Sequence, residues 1–175
     1  MLDKRKEELY LYDQACKVIP RGTMTISKCP DQFCKGVHPI FAERADGAYI
    51  EDIHGNRYLD MFGALGPIIL GYNNEHVNNA VIEQVKKGSI FSLPTLLEKK
   101  LANLIHECYP TIEQVRYSKN GTDVCTAAVR IARYHTGKEH IAKCGYHGWS
   151  DWHAVTFRAP GIPKVLNDYV HEFVY

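Results

Sequence analysis

At 175 residues, with 45% hydrophobic and 23% charged side chains, the chain has the make-up of a soluble globule or a large part of one, which excludes a disordered tail. Its 21 Lys+Arg against 20 Asp+Glu leave a formal charge of +1, too weak a field to gather nucleic acid or a lipid surface, and no stretch approaches the ~20 apolar residues of a membrane span. Met1-Leu2-Asp3-Lys4-Arg5-Lys6 runs into a polar helix without the apolar core of a signal peptide, so a cytoplasmic protein with no nucleic-acid or membrane partner is expected.

Leu9, Tyr12, Cys16 and Ile19 fall near helical spacing and predict an amphipathic helix over 3–18, ended by Pro20 and Gly22. Residues 23–37 are polar and aperiodic, with Pro30 and Gly36, and read as a long irregular loop. Three strands follow, at 40–45, 48–53 and 57–62, joined by Asp46-Gly47 and His54-Gly55-Asn56, turns whose residues tolerate positive φ. They predict a small antiparallel meander. The segment Gly63 to Tyr72 holds three Gly and a Pro in ten residues, as suits backbone bending closely around a ligand or a subunit neighbour.

Val77, Ala80, Val81, Gln84 and Val85 predict a helix over 76–87, with Lys86 and Lys87 in its last turn and Gly88 at its end. Thr95-Leu96-Leu97-Glu98 is a capping box opening another helix, with Leu97, Leu101, Leu104, Ile105 and Cys108 as its buried stripe. The pattern then becomes strand (114–118), helix (122–135), strand (140–144), the start of an α/β layer with a parallel sheet. A last strand is expected in 168–175, and a parallel strand needs neighbours and covering helices. The chain is therefore read as the N-terminal piece of a larger protein, with residues 1–72 and 73–175 as its two parts.

The six cysteines are scattered without a CxxC pair, so reduced thiols are expected. No His pair stands at HExxH spacing and Cys29 with Cys34 lacks a second pair, so no metal site is expected. Two other places carry candidate chemistry. At Lys119-Asn120-Gly121-Thr122-Asp123 a strand passes into a helix, whose free N–H groups and partial positive charge, with an approachable Gly121 and the Thr122 hydroxyl, suit an anion. The same residues also make a plain helix cap. After the next strand, Cys144-Gly145-Tyr146-His147-Gly148-Trp149-Ser150-Asp151-Trp152-His153 should open onto the same rim, because ligands sit at the carboxyl ends of strands in open α/β sheets. Tyr146 offers a flat face for a planar ring; equally, Tyr146, Trp149 and Trp152 suit loop packing, with His147 bonded to backbone.

In one colinear order, the runs Arg44-Ala45-Asp46-Gly47-Ala48-Tyr49-Ile50-Glu51-Asp52, Gly66-Pro67-Ile68-Ile69-Leu70-Gly71, Pro94-Thr95-Leu96-Leu97-Glu98, Asn120-Gly121-Thr122-Asp123 and Tyr146-His147-Gly148 resemble class III aminotransferases, nearest the glutamate-1-semialdehyde aminomutase-like branch. The resemblance implies the type I fold of pyridoxal-phosphate (PLP) enzymes: an N-terminal helix and small antiparallel meander, then the first part of the mainly parallel-sheet cofactor domain. It implies that Asn120, Gly121 and Thr122 bind the PLP phosphate, that Tyr146 stacks on its ring with His147 nearby, and that the intact enzyme is a homodimer moving an amino group from a donor to a carbonyl acceptor.

Two positions depart from the aminomutase. Lys28 stands where it has an Arg for the substrate carboxylate, and Leu65 where it has a Trp. Lys cannot copy the bidentate fork of Arg, so a transaminase acting on another carbonyl compound, sugar-like or a polysaccharide precursor, is the leading reading and the aminomutase its runner-up. The family's Schiff-base lysine lies beyond residue 175; none of Lys119, Lys138, Lys143 or Lys164 is in its context, so this chain contributes no catalytic residue and is not expected to turn over by itself. The rivals are a naturally short, non-catalytic phosphate- or partner-binding protein, and a half that pairs with a separately encoded C-terminal half.

Overall fold

Helix α1 (Leu2–Val18) ends where Pro20 opens a tight 3-10 turn, Pro20–Gly22, that bends the chain back on the helix. Gly22 sits there at φ +67°, and a Cβ on it would lie 2.6 Å from Cε2 of Tyr12, so only glycine fits. In this computed structural model, which describes residues 2–175 and the side chains from Lys4 onward, the chain separates into two units, Met1–Ser92 and Leu93–Tyr175.

The first unit is held by two polar clusters. Tyr12 and Cys29 are buried, the tyrosine Oη donating to the Arg21 carbonyl at 3.1 Å and lying 3.5 Å from the Cys29 Sγ. The Tyr12 hydroxyl, the Asp31 backbone and the Arg21 guanidinium pull the Cys29 thiol below its usual range, while its contact with Cys29, then burial, raise the Tyr12 hydroxyl. In the second cluster the fully buried Glu8 pairs with Arg5 and accepts the Ile40 N–H at 3.2 Å. Arg5 in turn donates to Tyr58 at 3.2 Å, and Tyr58 donates to buried Asp52 at 2.9 Å. Helix α1 is thereby tied to the meander by charge-assisted hydrogen bonds rather than by an apolar stripe; of the expected stripe Tyr12 is buried, Leu9 half-buried, and Cys16 and Ile19 exposed.

The meander is present as β1 (Ala42–Asp46), β2 (Tyr49–Asp52) and β3 (Arg57–Leu59), antiparallel in the order β1-β2-β3. Asp46 pairs with Tyr49 across the Gly47 turn, and a bulge separates the Ala42 and Arg44 pairings. Asp52 closes the second turn: its carboxylate accepts from the N–H groups of His54 and Asn56, both at 2.9 Å, and from the Asn56 side chain. The loop 23–37 is irregular apart from 3-10 turns at Ile26–Lys28 and Pro30–Gln32. Helix α2 (Glu75–Lys87) follows, its start capped by Asn74, whose Oδ1 accepts the Val77 N–H at 3.2 Å.

In the second unit, the Thr95–Glu98 capping box opens α3 (Leu96–Cys108) with both reciprocal bonds made. The predicted burial of its stripe is corrected: Leu97, Leu101 and Leu104 stay about half exposed and Cys108 is exposed, while Ile105 is half-buried. The predicted strand at 114–118 is also corrected. Those residues run outside any ladder, and a strand without a partner leaves its backbone groups to solvent. Helix α4 (Gly121–Thr136) stops at Gly137 in the left-handed conformation. Strand β4 (Ile141–Lys143) pairs in parallel with β5 (Val170–Glu172), and α5 (Asp151–Ala154) lies between them in sequence. The buried Lys143 Nζ donates to Glu172 at 2.9 Å. Among the described residues no helix is long and apolar enough to cross a membrane.

Candidate functional site

Helix α4 begins at Gly121, and Asn120 occupies the cap position in extended conformation (φ −122°, ψ 152°) without a side-chain cap bond. Its Nδ2 donates instead to Asp123 Oδ2 at 3.2 Å, as does the Ser118 hydroxyl at 3.3 Å. A structural cap would turn the Asn120 oxygen onto the N–H of the second or third helical residue. Here that oxygen makes no such bond, so the first N–H groups of a four-turn helix keep their capacity for an anion. A Cβ built on Gly121 meets nothing within 4 Å. The backbone is approachable there, and the place fits a phosphate in charge and in space.

The loop after β4 is seated on this helix start. Gly148, at φ +107°, is buried so closely that a Cβ on it would lie 2.9 Å from the Cα of Thr122. The next residue, Trp149, donates its N–H to Thr122 Oγ1 at 3.3 Å, and that oxygen is also 3.0 Å from Ser150 Oγ. Having accepted from Trp149, the Thr122 hydroxyl keeps one proton, to give either to Ser150 or to a bound oxyanion. One turn on, Thr126 Oγ1 accepts from the Trp152 indole N–H at 3.0 Å and lies 3.0 Å from Ser150. The structure thus brings Thr122 and the Tyr146–His147 turn together through Gly148. Trp152 is half-buried and its indole is bonded, which makes it packing, whereas Trp149 is 78% exposed.

Tyr146 is 74% exposed, its ring free on one side and held edge-on by His153 at 5.3 Å and 83°. His147 is half-buried; its Nε2 lies 2.8 Å from the Cys144 carbonyl oxygen, a backbone bond that fixes the ring. Its own N–H donates to His153 Nε2 at 3.1 Å. His153 is fully buried, and burial first, then Lys143 and His147, hold its pKa below the ordinary 6.5 against the opposing pull of Glu172. Ser150 and His153 stand in the candidate run of the sequence, which gives neither of them a role. Only their nearness to Tyr146-His147-Gly148 marks them, because their partners are 24 to 28 residues away for Ser150 and, for His153, lie on a short turn without periodicity.

Lys28 and Leu65, named from the aminomutase departures, line one cavity of about 700 Å³ in the first unit, together with Phe33, Arg44, Asp60 and Tyr72. Tyr72 donates to Asp60, which lowers the Asp60 carboxyl, while burial and the same bond push the Tyr72 hydroxyl up to about 12. Leu65 belongs to a run of four left-handed residues, Gly63 (+51°), Ala64 (+52°), Leu65 (+71°) and Gly66 (+106°). Two of these are not glycine, and such backbone strain concentrates at functional segments.

The sequence model of the family described as aminotransferase class-III matches residues 33–169. A curated relative, the 3-aminobutyryl-CoA aminotransferase of Cloacimonas acidaminovorans (strain Evry), is 39% identical over 173 residues, 98% of this chain and 41% of its own length. Among solved structures, the FumI protein of Sphingopyxis sp. MTA144, in a form carrying PLP, superposes with a TM-score of 0.87 at 29% identity, covering 97% of this chain and 41% of that one. An omega-transaminase from Sphaerobacter thermophilus superposes with a TM-score of 0.83 at 28% identity, covering 96% of this chain and 41% of its own. The α/β fold expected from the motifs is the fold of the matched part of these structures, and the chain spans about 41% of the length of each. A family match over most of the sequence, joined to a close relative that covers nearly all of it, places the chain in the class III aminotransferase family.

Proposed function

We propose that this chain supplies the phosphate- and ring-holding part of a PLP-dependent transaminase that is cytoplasmic and homodimeric. The observation that carries the reading is Gly148 packed on Thr122, which seats the Tyr146–His147 turn against a helix start that Asn120 leaves uncapped. In this reading the N–H groups of Gly121 and Thr122 bind the phosphate, with the Thr122 hydroxyl as a further donor, and Tyr146 lays its open face on the pyridine ring. His147, fixed by the Cys144 carbonyl, keeps its place beside that ring. PLP supplies the electron sink that lets an amino group and a proton leave and rejoin a substrate carbon. This chain's residues bind and orient; the lysine that the family uses to carry PLP is not among those of residues 1–175, so the chain alone is inactive.

Lys28 and Leu65, which line one cavity of the first unit, are assigned to substrate binding. Lys28 offers a point charge in place of a bidentate fork, and Leu65 a smaller apolar wall than Trp, which supports an acceptor other than glutamate-1-semialdehyde. The 3-aminobutyryl-CoA aminotransferase relative supports an amino group on the β carbon of an acyl thioester. A sugar-like or polysaccharide-precursor carbonyl is the second acceptor class, suggested by the Lys-Asn-Gly and Tyr-His-Gly-Trp runs.

The test is titration of the purified chain with PLP, followed by tryptophan quenching and by absorbance between roughly 330 and 430 nm, before and after borohydride. Saturable binding displaced by inorganic phosphate, without a borohydride-fixed adduct, is expected. A stoichiometric reducible adduct on one lysine overturns the assignment of that lysine to residues outside this chain, and no binding overturns the cofactor assignment. With a complete enzyme containing this sequence, amino transfer involving 3-aminobutyryl-CoA is expected, whereas 5-aminolevulinate from glutamate-1-semialdehyde would establish the aminomutase.

A further inference from the structure

We propose that His153 is a positioning residue that holds the Tyr146–His147 turn in its ring-binding geometry, and that it does so only as a neutral imidazole with its proton on Nδ1. The inference rests on the cofactor reading above for what the turn is for, and on geometry for how it is held. His153 is 0% exposed, and its Nε2 accepts the His147 N–H at 3.1 Å. A nitrogen that accepts carries no proton, so the neutral ring bears its hydrogen on Nδ1. That Nδ1 is buried and has no partner among the described residues. An orphaned buried donor is rare enough to require a reason; here it is the consequence of spending Nε2 on the loop.

The surroundings make this state the stable one. The rings of Tyr146, His147, Trp152 and Phe157 pack around His153 with centroids 4.8 to 5.6 Å away, three of them edge-on and Trp152 tilted. The charged and titratable groups facing it are Lys143 on β4, Glu172 on β5 and His147 in the loop. Glu172 is engaged by Lys143, and its pull toward an imidazolium is outweighed by burial, Lys143 and His147. Among the described residues, the edge-on contact with His153 is the only aromatic contact of Tyr146, whose far face is open. One side chain therefore fixes both halves of the turn: the His147 amide by a hydrogen bond and the Tyr146 ring by contact.

Two variants separate these roles. His153→Phe keeps an aromatic body and removes the acceptor, while His153→Gln restores an acceptor oxygen near the Nε2 position. The first readout is nitrogen-15 NMR of the chain without PLP, where the wild type should show a neutral Nδ1-protonated His153 at pH 7. An Nε2-protonated or doubly protonated ring overturns the proposal whether or not either variant folds. The second readout is hydrogen exchange at the His147 amide, expected to rise about tenfold in His153→Phe and to return in His153→Gln; an unchanged rate in folded His153→Phe overturns it. PLP affinity is measured in parallel and should fall about tenfold in His153→Phe with rescue in His153→Gln. Loss of the His147 amide effect sinks this inference alone, whereas failure of the wild-type chain to bind PLP, with the amide result intact, sinks the cofactor reading and leaves His153 as the anchor of the turn.

Discussion

Gly148 and Thr122 stand back to back, with no room for a single methyl group between the loop after β4 and the first turn of α4. Replacing Gly148 by Ala forces a side chain into a φ of +107° and into the Thr122 backbone at once. Strain and overpacking together should destabilise the second unit by about 2–4 kcal/mol in urea unfolding and lower PLP affinity. A loss below about 0.5 kcal/mol, the range of an unremarkable surface change, would show that the loop is not seated there.

Thr122 accepts from the Trp149 N–H and retains a proton to donate. Thr122→Ser keeps both capacities and should bind PLP nearly as the wild type does. Thr122→Val keeps the shape and loses both, and its affinity should fall about tenfold, the worth of one hydrogen bond to a charged group. Equal affinities for the two variants, read by tryptophan quenching, would assign the phosphate contact to backbone N–H groups alone.

Burial alone would raise the Asp52 carboxyl, but the side chain and N–H of Asn56, the Tyr58 hydroxyl and the His54 N–H together bring it down from 3.8 to about 2. Because the folded value lies below the unfolded one, its stabilising contribution is present above pH 3.8 and is lost as the pH falls through about 2. Asp52→Asn should cost about 2 kcal/mol at neutral pH, since a neutral amide cannot accept from all these donors. The gap between wild type and variant in urea midpoints should close as the solution is acidified through that window.

His153 gives a second acid window with the same sign. Its folded pKa is depressed by burial, Lys143 and His147, so the unfolded chain takes the proton first. Stability is full above the ordinary value of 6.5 and falls as the pH drops below it. In His153→Phe that slope should vanish between neutral pH and about pH 5, where carboxylates have not yet protonated. A slope of wild-type size in the variant would assign the window to another group.

Ala64 holds a left-handed conformation at φ +52°. Ala64→Gly should therefore stabilise the first unit by up to about 1 kcal/mol, the usual relief when glycine replaces a strained residue. Thermal unfolding measures it, and a net loss would mean that the methyl group packs in solution.

Local signals in this sequence were faithful. The Thr95–Glu98 box, the Asp46-Gly47 hairpin, the Gly88 helix end and the meander follow from residues within a few positions of one another, and each is where its chemistry put it. The failures are long-range. The stretch 114–118 has the alternation of a strand, but a ladder requires a neighbour, and the exposed Leu97, Leu101 and Leu104 require an opposing surface. At the candidate site the sequence leaves an anion cradle and a plain cap as alternatives; that the Asn120 side chain makes no cap bond and donates to Asp123 is a matter of direction that composition does not carry. Ser150 and His153 act through residues brought near by the loop, so no spacing rule announces them.

Of the six thiols, Cys16, Cys34 and Cys108 are exposed, Cys125 and Cys144 half-buried, and Cys29 alone is fully closed beneath Tyr12 and Arg21. A thiol reagent therefore sorts them in time: the open ones label at once, and Cys29 waits for the α1 clasp to part. The contacts that lower its pKa, from Tyr12, the Asp31 backbone and Arg21, are the ones that must part, so Cys29 then reacts as an ordinary open thiol and the extra wait measures opening. The first unit carries its own stopwatch for breathing, one that needs no engineered residue.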